Sequence, residues 1–220
     1  MASKKIRPGR KYRLRLYERL FEMLVWPSFF LPIALFVLWW ISFDYPVPIV
    51  GRYLILVAAA LAWLLYIGSL VAPTFCYVQC HADYVVISTA TYRLSISYAR
   101  VGNVVPVHFG SKYPLSRQGW SQRGFLEPLF REQKTGQLTV VSMQLKKYPL
   151  PVPWLKLWFN DYMFFPPHDG PGFLFMVSDW MALSHELEDF RENWRARRST
   201  KGIRRASIAS EVLSKGDRRR

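Results

Sequence analysis

The side chains that most often perform chemistry are sparse in this sequence, and the densest group is Cys76, Cys80 and His81. Their C-x-x-x-C-H spacing is one residue longer than the haem-attachment signature, and no further ligand cluster lies near them. Residues four apart in an extended strand share a face, so we expect ordinary strand residues here. We expect no disulfide, because the charge pattern places both thiols on the reducing side of a membrane.

No catalytic constellation emerges from the rest of the sequence. The histidines fall on unrelated predicted elements, and no acidic pair recurs at a metal-ligand spacing. There is no Gly-rich phosphate loop and no G-x-S-x-G nucleophile elbow. We therefore expect no enzyme activity, no cofactor, no metal and no small-molecule substrate. The histidines are His81, His108, His168 and His185.

The positive charge of the chain is concentrated at its two ends. Residues 1–22 hold eight Lys or Arg and two Glu, and residues 191–220 hold eleven Lys or Arg and three acidic residues. Residues 23–190 are nearly neutral, with eleven basic and ten acidic side chains. Because Lys and Arg resist translocation, this pattern predicts a membrane protein with both termini in the cytoplasm. We expect no specific nucleic-acid binding, since the basic ends accompany neither a recognition helix nor a zinc motif.

Two uncharged apolar segments follow the basic N-terminal segment, at residues 23–43 and 53–71. At about 1.5 Å per residue each is roughly 30 Å long, enough to span a bilayer as a helix. The short connection between them contains Pro46, Pro48 and Gly51, which favour a turn. Residues 23–71 are therefore predicted to form a transmembrane hairpin.

A mainly-β domain is predicted over residues 75–198. Its segments are short, rich in β-branched and aromatic residues, and separated by turn residues. In residues 92–98 the apolar side chains alternate with polar ones, which is typical of a half-buried strand. Lys134 to Gln137 form a predicted hairpin turn around Gly136. The seven predicted strands are 75–79, 84–89, 92–98, 104–109, 126–131, 138–145 and 173–177.

One amphipathic helix is predicted to close the domain, because apolar residues recur at helical spacing from Trp180 onward, at 183, 187, 190 and 194. Ser178 or Asp179 is expected to cap its N-terminus. Beyond it, residues 199–220 are basic and poor in apolar side chains, which predicts a disordered tail.

This arrangement resembles the bacterial pleckstrin-homology-like membrane protein family. The likeness lies in Tyr84–Ser88 (YVVIS), in residues 92–101 (YRLSISYARV) and in residues 173–180 (FLFMVSDW). The resemblance implies a two-sheet partial barrel, plugged at one end by the closing helix and without enzyme activity. Eukaryotic relatives bind phosphoinositides through basic residues in the first hairpin loop, whereas the loop here is His81-Ala82-Asp83.

Two sets of residues are candidates for binding. Residues 148–165 are too aromatic for a free loop, and three interpretations stay open: burial in the barrel, a bilayer interface, or a partner interface. The candidate partner or membrane interface comprises Trp154, Leu155, Trp158, Phe159, Tyr162, Phe164 and Phe165. The basic residues of the ends are candidates for contact with anionic lipid, and the basic loop 110–124 is either a solvated connection or a further contact with anionic headgroups. At the ends these residues are Lys4, Lys5, Arg7, Arg10, Lys11, Arg13, Arg204 and Arg205.

The leading hypothesis is a non-catalytic, membrane-anchored interaction module, acting as an accessory or assembly subunit of a membrane protein complex. We place it in the bacterial cytoplasmic membrane. The alternative is a peripheral module that senses anionic lipid, and a further alternative is an enzyme with an unrecognised site.

Overall fold

Two long apolar helices precede a region of two antiparallel sheets. The computed structural model describes residues 7–45, 48–131 and 138–217, with side chains as far as residue 200. A short strand, β1 (Lys11–Arg13), leads into helix α1 (Arg15–Ile41), and helix α2 (Ile49–Val71) packs back against α1. Both helices are long and apolar enough to cross a membrane. The predicted two-helix arrangement is thus confirmed.

Helix α1 begins eight residues before the predicted apolar segment. The extra turns contain Arg15, Glu18 and Arg19, but their apolar residues Leu16 and Tyr17 are buried against the β region. The helix therefore joins the apolar hairpin to the domain without a break. On α2, small side chains face α1: Ala59, Ala62 and Ser69 are buried.

The first sheet has the order β1-β2-β3-β4 and is antiparallel throughout. Strand β1, from the segment before the helices, pairs with β2, the first strand after them. The alternation predicted for residues 92–98 is confirmed, because Leu94, Ile96 and Tyr98 are buried while Arg93 and Ser95 are exposed. The other strands are β2 (Tyr77–Cys80), β3 (Tyr84–Ser88) and β4 (Arg93–Ser97).

The second sheet has the order β5-β6-β7, again antiparallel. Its strands are β5 (Val101–His108), β6 (Thr139–Leu145) and β7 (Gly172–Phe175). Two helices lie between β5 and β6, α3 (Phe109–Lys112) and α4 (Trp120–Arg131). The strand predicted at residues 126–131 is therefore wrong. Leu126 and Leu129, three residues apart, are both buried on one face of α4. The predicted turn at residues 134–137 lies outside the described residues.

A fifth helix, α5 (Val152–Trp158), lies between β6 and β7, and α6 (Trp180–Asp217) follows β7. Helix α6 contacts β2 of the first sheet and β5 and β6 of the second, with Leu183 and Leu187 buried between them. The Asp179 carboxylate accepts a hydrogen bond from the Ala182 N–H at 3.1 Å, as the predicted cap requires. The segment predicted to be a disordered tail from residue 199 is helical as far as Asp217.

Candidate interaction surfaces at the two ends of the domain

The domain has a hairpin end and a far end, defined by the strand registers. Arg13, Tyr77 and Ser88 are partners in adjacent strands and lie beside the helices, whereas Cys80 and Tyr84 lie at the opposite end. In the second sheet, β7 reaches the hairpin end after Phe175, because the Met176 carbonyl accepts a hydrogen bond from the Arg15 N–H at 2.9 Å. Strand β5 ends at His108 on the same side, since His108 pairs with Thr139 and Val141 pairs with Phe175.

A network of hydrogen bonds ties the N-terminal strand to the rest of the domain. The Leu14 N–H donates to the Cys76 carbonyl at 3.1 Å, and the Gly9 N–H donates to the Cys80 carbonyl at 2.8 Å. From α6, the Glu186 carboxylate accepts from the Tyr12 hydroxyl at 2.7 Å and from the Arg10 N–H at 3.1 Å. Sequence reasoning assigned this segment to lipid contact and missed the strand, because three residues are too few to show a period.

The predicted lipid contacts at the N-terminus are partly used inside the protein. The Lys11 ammonium lies 4.6 Å from the centroid of the Tyr77 ring, and the Arg10 guanidinium lies 3.8 Å from the Asp179 carboxylate. Arg7 and Arg13 are exposed. Lys4 and Lys5 lie outside the described residues.

Helix α6 runs from the hairpin end of the domain to the far end, and it carries Arg204 and Arg205, two of the predicted lipid contacts. It begins near the α1 base, and Arg197 donates to the Ala82 carbonyl and lies 3.5 Å from the Asp83 carboxylate in the far-end turn. The backbone of Arg204 and Arg205 continues this helix beyond Arg197. Their contact with anionic lipid stays a prediction, although the helix carries them away from the hairpin end of the domain.

The aromatic segment 148–165 divides into a buried part and an exposed part. Trp158, Tyr162 and Phe165 are half-buried and pack against the core. Trp154 is 50% exposed, and Leu157, which sequence reasoning left out, is 68% exposed. Leu155, Phe159 and Phe164 are buried inside the domain, in keeping with the first of the three interpretations.

The exposed face of α5 lies at the hairpin end. Trp158 stacks on Tyr92 in the turn after Ser88, with ring centroids 5.5 Å apart. Two residues after α5 ends, the Asn160 N–H donates to the hydroxyl of Tyr17, in the first turns of α1, at 3.0 Å. The segment that carries Trp154 is therefore fastened to the base of the hairpin.

A second exposed aromatic surface lies on α4, which contacts α1. Trp120, at the first position of α4, is 91% exposed, the highest value among the large apolar side chains described. Arg117 and Arg123 are exposed on either side of it. The loop 110–124, predicted to be a basic lipid-contacting or solvated connection, is therefore partly helical and holds its tryptophan away from the core.

The thiols of Cys76 and Cys80 and the imidazole of His81 are held in packed surroundings. Cys76 and Cys80 are buried and unpaired, and burial raises the pKa of the two thiols to about 11 and about 12, which keeps them protonated and poorly nucleophilic. The His81 ring stacks on Tyr84 at 4.9 Å, and burial, with the nearby Arg93 charge, lowers its pKa.

A cleft beside α5 is lined by several aromatic side chains, and its Lys156 and Asp161 are paired with each other. It has a volume of about 530 Å³ and is lined by Tyr113, Tyr148, Lys156, Asp161 and Phe165, among others. The Lys156 ammonium lies 3.0 Å from the Asp161 carboxylate. Among the described residues no cluster of three or more His, Cys, Asp or Glu side chains could hold a metal ion.

No protein-family model, curated protein or solved structure matches this chain.

Proposed function

We propose that this chain is a membrane-anchored, non-catalytic interaction module that serves as an accessory or assembly subunit of a membrane protein complex. In this proposal the two helices span the bacterial cytoplasmic membrane, and the two sheets with α6 form a pleckstrin-homology-like domain on its cytoplasmic side. The observation that carries the proposal is the pairing of β1 with β2, which makes the hairpin and the domain one folded unit.

The exposure of the helices supports the membrane anchor. Only 6% of the most apolar window of α1 and 17% of that of α2 is buried inside the protein, whereas a core helix of a soluble domain is mostly buried. Exposed side chains such as Phe36, Leu64 and Leu65 would otherwise face water, which is costly for so large an apolar surface.

The β1–β2 pairing also supports a single orientation for both flanks of the hairpin. A strand that precedes α1 and a strand that follows α2 can pair only if both lie on the same side of the bilayer. The excess of Lys and Arg in residues 1–22 and 191–220 favours the cytoplasmic side. Cys76 and Cys80 would then lie in the reducing compartment, in keeping with their free thiols.

A role in interaction is supported by the way the domain uses its residues. The thiols are buried, His81 is stacked, and Lys156 is ion-paired, so these groups serve the structure. The exposed α5 face is the apolar surface we assign to a protein partner, since it carries an exposed tryptophan and aromatic residues are enriched at interface cores. Rigid attachment keeps this face at a fixed height above the bilayer.

Native-membrane purification tests the proposal. The tagged chain is extracted in mild detergent at moderate salt, and stoichiometric companions are identified by mass spectrometry. We expect a membrane complex that is lost from a Trp154→Ala, Leu157→Ala variant and kept by a Met181→Ala control, whose side chain is 58% exposed on α6. A chain that purifies alone, or a complex indifferent to the α5 substitutions, contradicts the partner assignment.

One observation favours the second candidate, a module that senses anionic lipid: exposed Trp120 is three residues along the sequence from exposed Arg117 and from exposed Arg123. Electrostatic binding to lipid weakens steeply with ionic strength, whereas an apolar protein interface persists. Repeating the purification at high salt therefore separates the two candidates.

A further inference from the structure

The N-terminal end of α4 joins the base of the hairpin through a chain of contacts. The Asn160 N–H donates to the Tyr17 hydroxyl at 3.0 Å, and two residues later the Tyr162 hydroxyl donates to the Gln118 side-chain oxygen at 3.2 Å. The Phe125 ring stacks on Tyr162 with centroids 6.4 Å apart. Trp120 follows Gln118 by two residues, so its position relative to α1 is fixed.

The contact between Asn160 and Tyr17 lies close to the bilayer surface of the proposed anchor. Tyr17 precedes the uncharged segment that begins at Met23 by six residues, which is about 9 Å along a helix. The hydrocarbon core is about 30 Å thick and the bilayer with its headgroups about 40–45 Å, so each headgroup layer extends about 5–8 Å beyond the core. Trp120, which is exposed and linked to Tyr17 through these contacts, is therefore within reach of the headgroup layer.

The charges near Trp120 suit an anionic surface. Residues 109–131 hold four Lys or Arg and one Glu, in a domain whose central sequence is otherwise nearly neutral. The Lys112 ammonium is paired with the Asp169 carboxylate at 2.9 Å, and Arg131 with Glu127 at 2.6 Å. Arg117 and Arg123 flank Trp120 and are exposed, and Arg123 is steadied by its hydrogen bonds to the Ser116 and Gln118 carbonyls.

We propose that the N-terminal end of α4 is a second membrane contact, in which Trp120 inserts into the interfacial layer of an anionic bilayer while Arg117 and Arg123 bind headgroup phosphates. Tryptophan favours this layer because its ring is apolar and its N–H can hydrogen-bond. Each cation near an anionic surface contributes about 1 kcal/mol. This inference rests on the membrane anchor of the proposed function, and it fixes the domain against the bilayer at two points.

Fluorescence quenching in vesicles tests the inference. Because both native cysteines are buried, an added exposed cysteine can be labelled selectively with an environment-sensitive dye. Ser121→Cys is exposed and leaves Trp120 intact. Tyr84→Cys provides a site at the far end, and Leu64→Cys provides a site within α2 that is exposed to lipid in the proposed anchor. The full-length chain is reconstituted in vesicles of zwitterionic lipid with or without phosphatidylglycerol, and the quencher is carried on the lipid headgroup or acyl chain.

We expect the dye at position 121 to be quenched at least about twofold more than the dye at position 84 in the anionic vesicles, because an interfacial helix lies within the headgroup layer. The difference should fall in zwitterionic vesicles and on adding Arg117→Gln with Arg123→Gln. Trp120→Ala, combined with Ser121→Cys, should reduce it in both lipids.

Equal quenching at positions 121 and 84, with strong quenching at position 64, overturns the α4 contact and leaves the anchor standing. Absence of quenching at position 64 overturns the anchor, and the α4 contact with it. Shielding of position 121 from a water-soluble quencher in native membranes, without quenching in pure lipid vesicles, overturns the bilayer contact and assigns α4 to a protein partner.

Discussion

The first sheet and the α4–α5 region differ in how completely they bury their apolar side chains. In the sheet, the inward side chains of β2, β3 and β4 are covered by the second sheet and by α6. In the α4–α5 region, short helices bury one face and leave Trp120, Trp154 and Leu157 uncovered. The difference is that the sheets and α6 cover their apolar faces, whereas α4 and α5 bury one face in the core and leave apolar side chains of the other face exposed.

The largest expected effect on the free energy of unfolding tests which face of α5 is packed on the core. Leu155 and Leu157 belong to the same helix but are 0% and 68% exposed. Leu155→Ala leaves a cavity against the sheets, and we expect it to lower the free energy of unfolding by about 2–5 kcal/mol. Thermal unfolding of the detergent-solubilised chain measures this loss. An unchanged melting temperature would show that α5 is not packed on the core.

The next effect is the dependence of stability on alkaline pH, which we expect from the buried thiols of Cys76 and Cys80. Their pKa values of about 11 and about 12 lie above the ordinary value of 9.0, so the folded state holds these protons more tightly than the unfolded chain. The stability they contribute is complete below pH 9 and is lost as the pH rises through 11 to 12. Cys80→Ala should flatten this alkaline loss, measured as melting temperature against pH. Tyr12 and Tyr98, whose pKa burial also raises, would leave a remaining slope.

A smaller effect is expected where β1 meets α6. Tyr12→Phe keeps the ring but removes the hydroxyl that donates to Glu186 at 2.7 Å. A hydrogen bond to a charged acceptor contributes about 1.5–3 kcal/mol, and the partial exposure of this carboxylate favours the lower end. Protease susceptibility of the N-terminal segment reports the loss. If Tyr12→Phe and the parent chain are cleaved at the same rate, this hydrogen bond does not hold β1 in place.

The smallest effect on stability should come from the exposed side of α5. Leu157→Ala removes an apolar group with little packing, so the free energy of unfolding should change by no more than about 0.5 kcal/mol. The same variant, combined with Trp154→Ala, should lose its membrane partner. Loss of both stability and partner would place Leu157 in the core and erase the contrast with Leu155.

Sequence reasoning succeeded where a side-chain period was long enough to read. The two apolar helices and the alternation through Leu94 and Ile96 span many residues, so a single burial rule predicts them. Helix α6 was predicted at its N-terminus, because Leu183 and Leu187 follow a 3.6-residue period and Asp179 caps it.

The errors fall where the determinant is a distant partner. Strand β1 is three residues long and exists through its pairing with β2, which lies more than sixty residues away. Helix α4 resembled a strand because its apolar residues are few and Pro128 interrupts them, and its packing against Phe109 and Tyr162 cannot be read locally. The aromatic segment was correctly recognised as unusual, but its division between Leu155 and Leu157 depends on which side the sheets occupy.

The pairing of β1 with β2 has a consequence for biosynthesis. Strand β1 is synthesised first, yet its partner emerges only after both helices have left the ribosome. In the proposed bilayer arrangement, the two strands meet only when the segments before α1 and after α2 lie on the same side of the membrane. A chain in which only one of the two helices has crossed leaves β2 as an unpaired edge and Glu186 without its donors. In that arrangement, completion of the sheet would act as a proofreading step, because a chain with only one helix across the membrane could not finish folding.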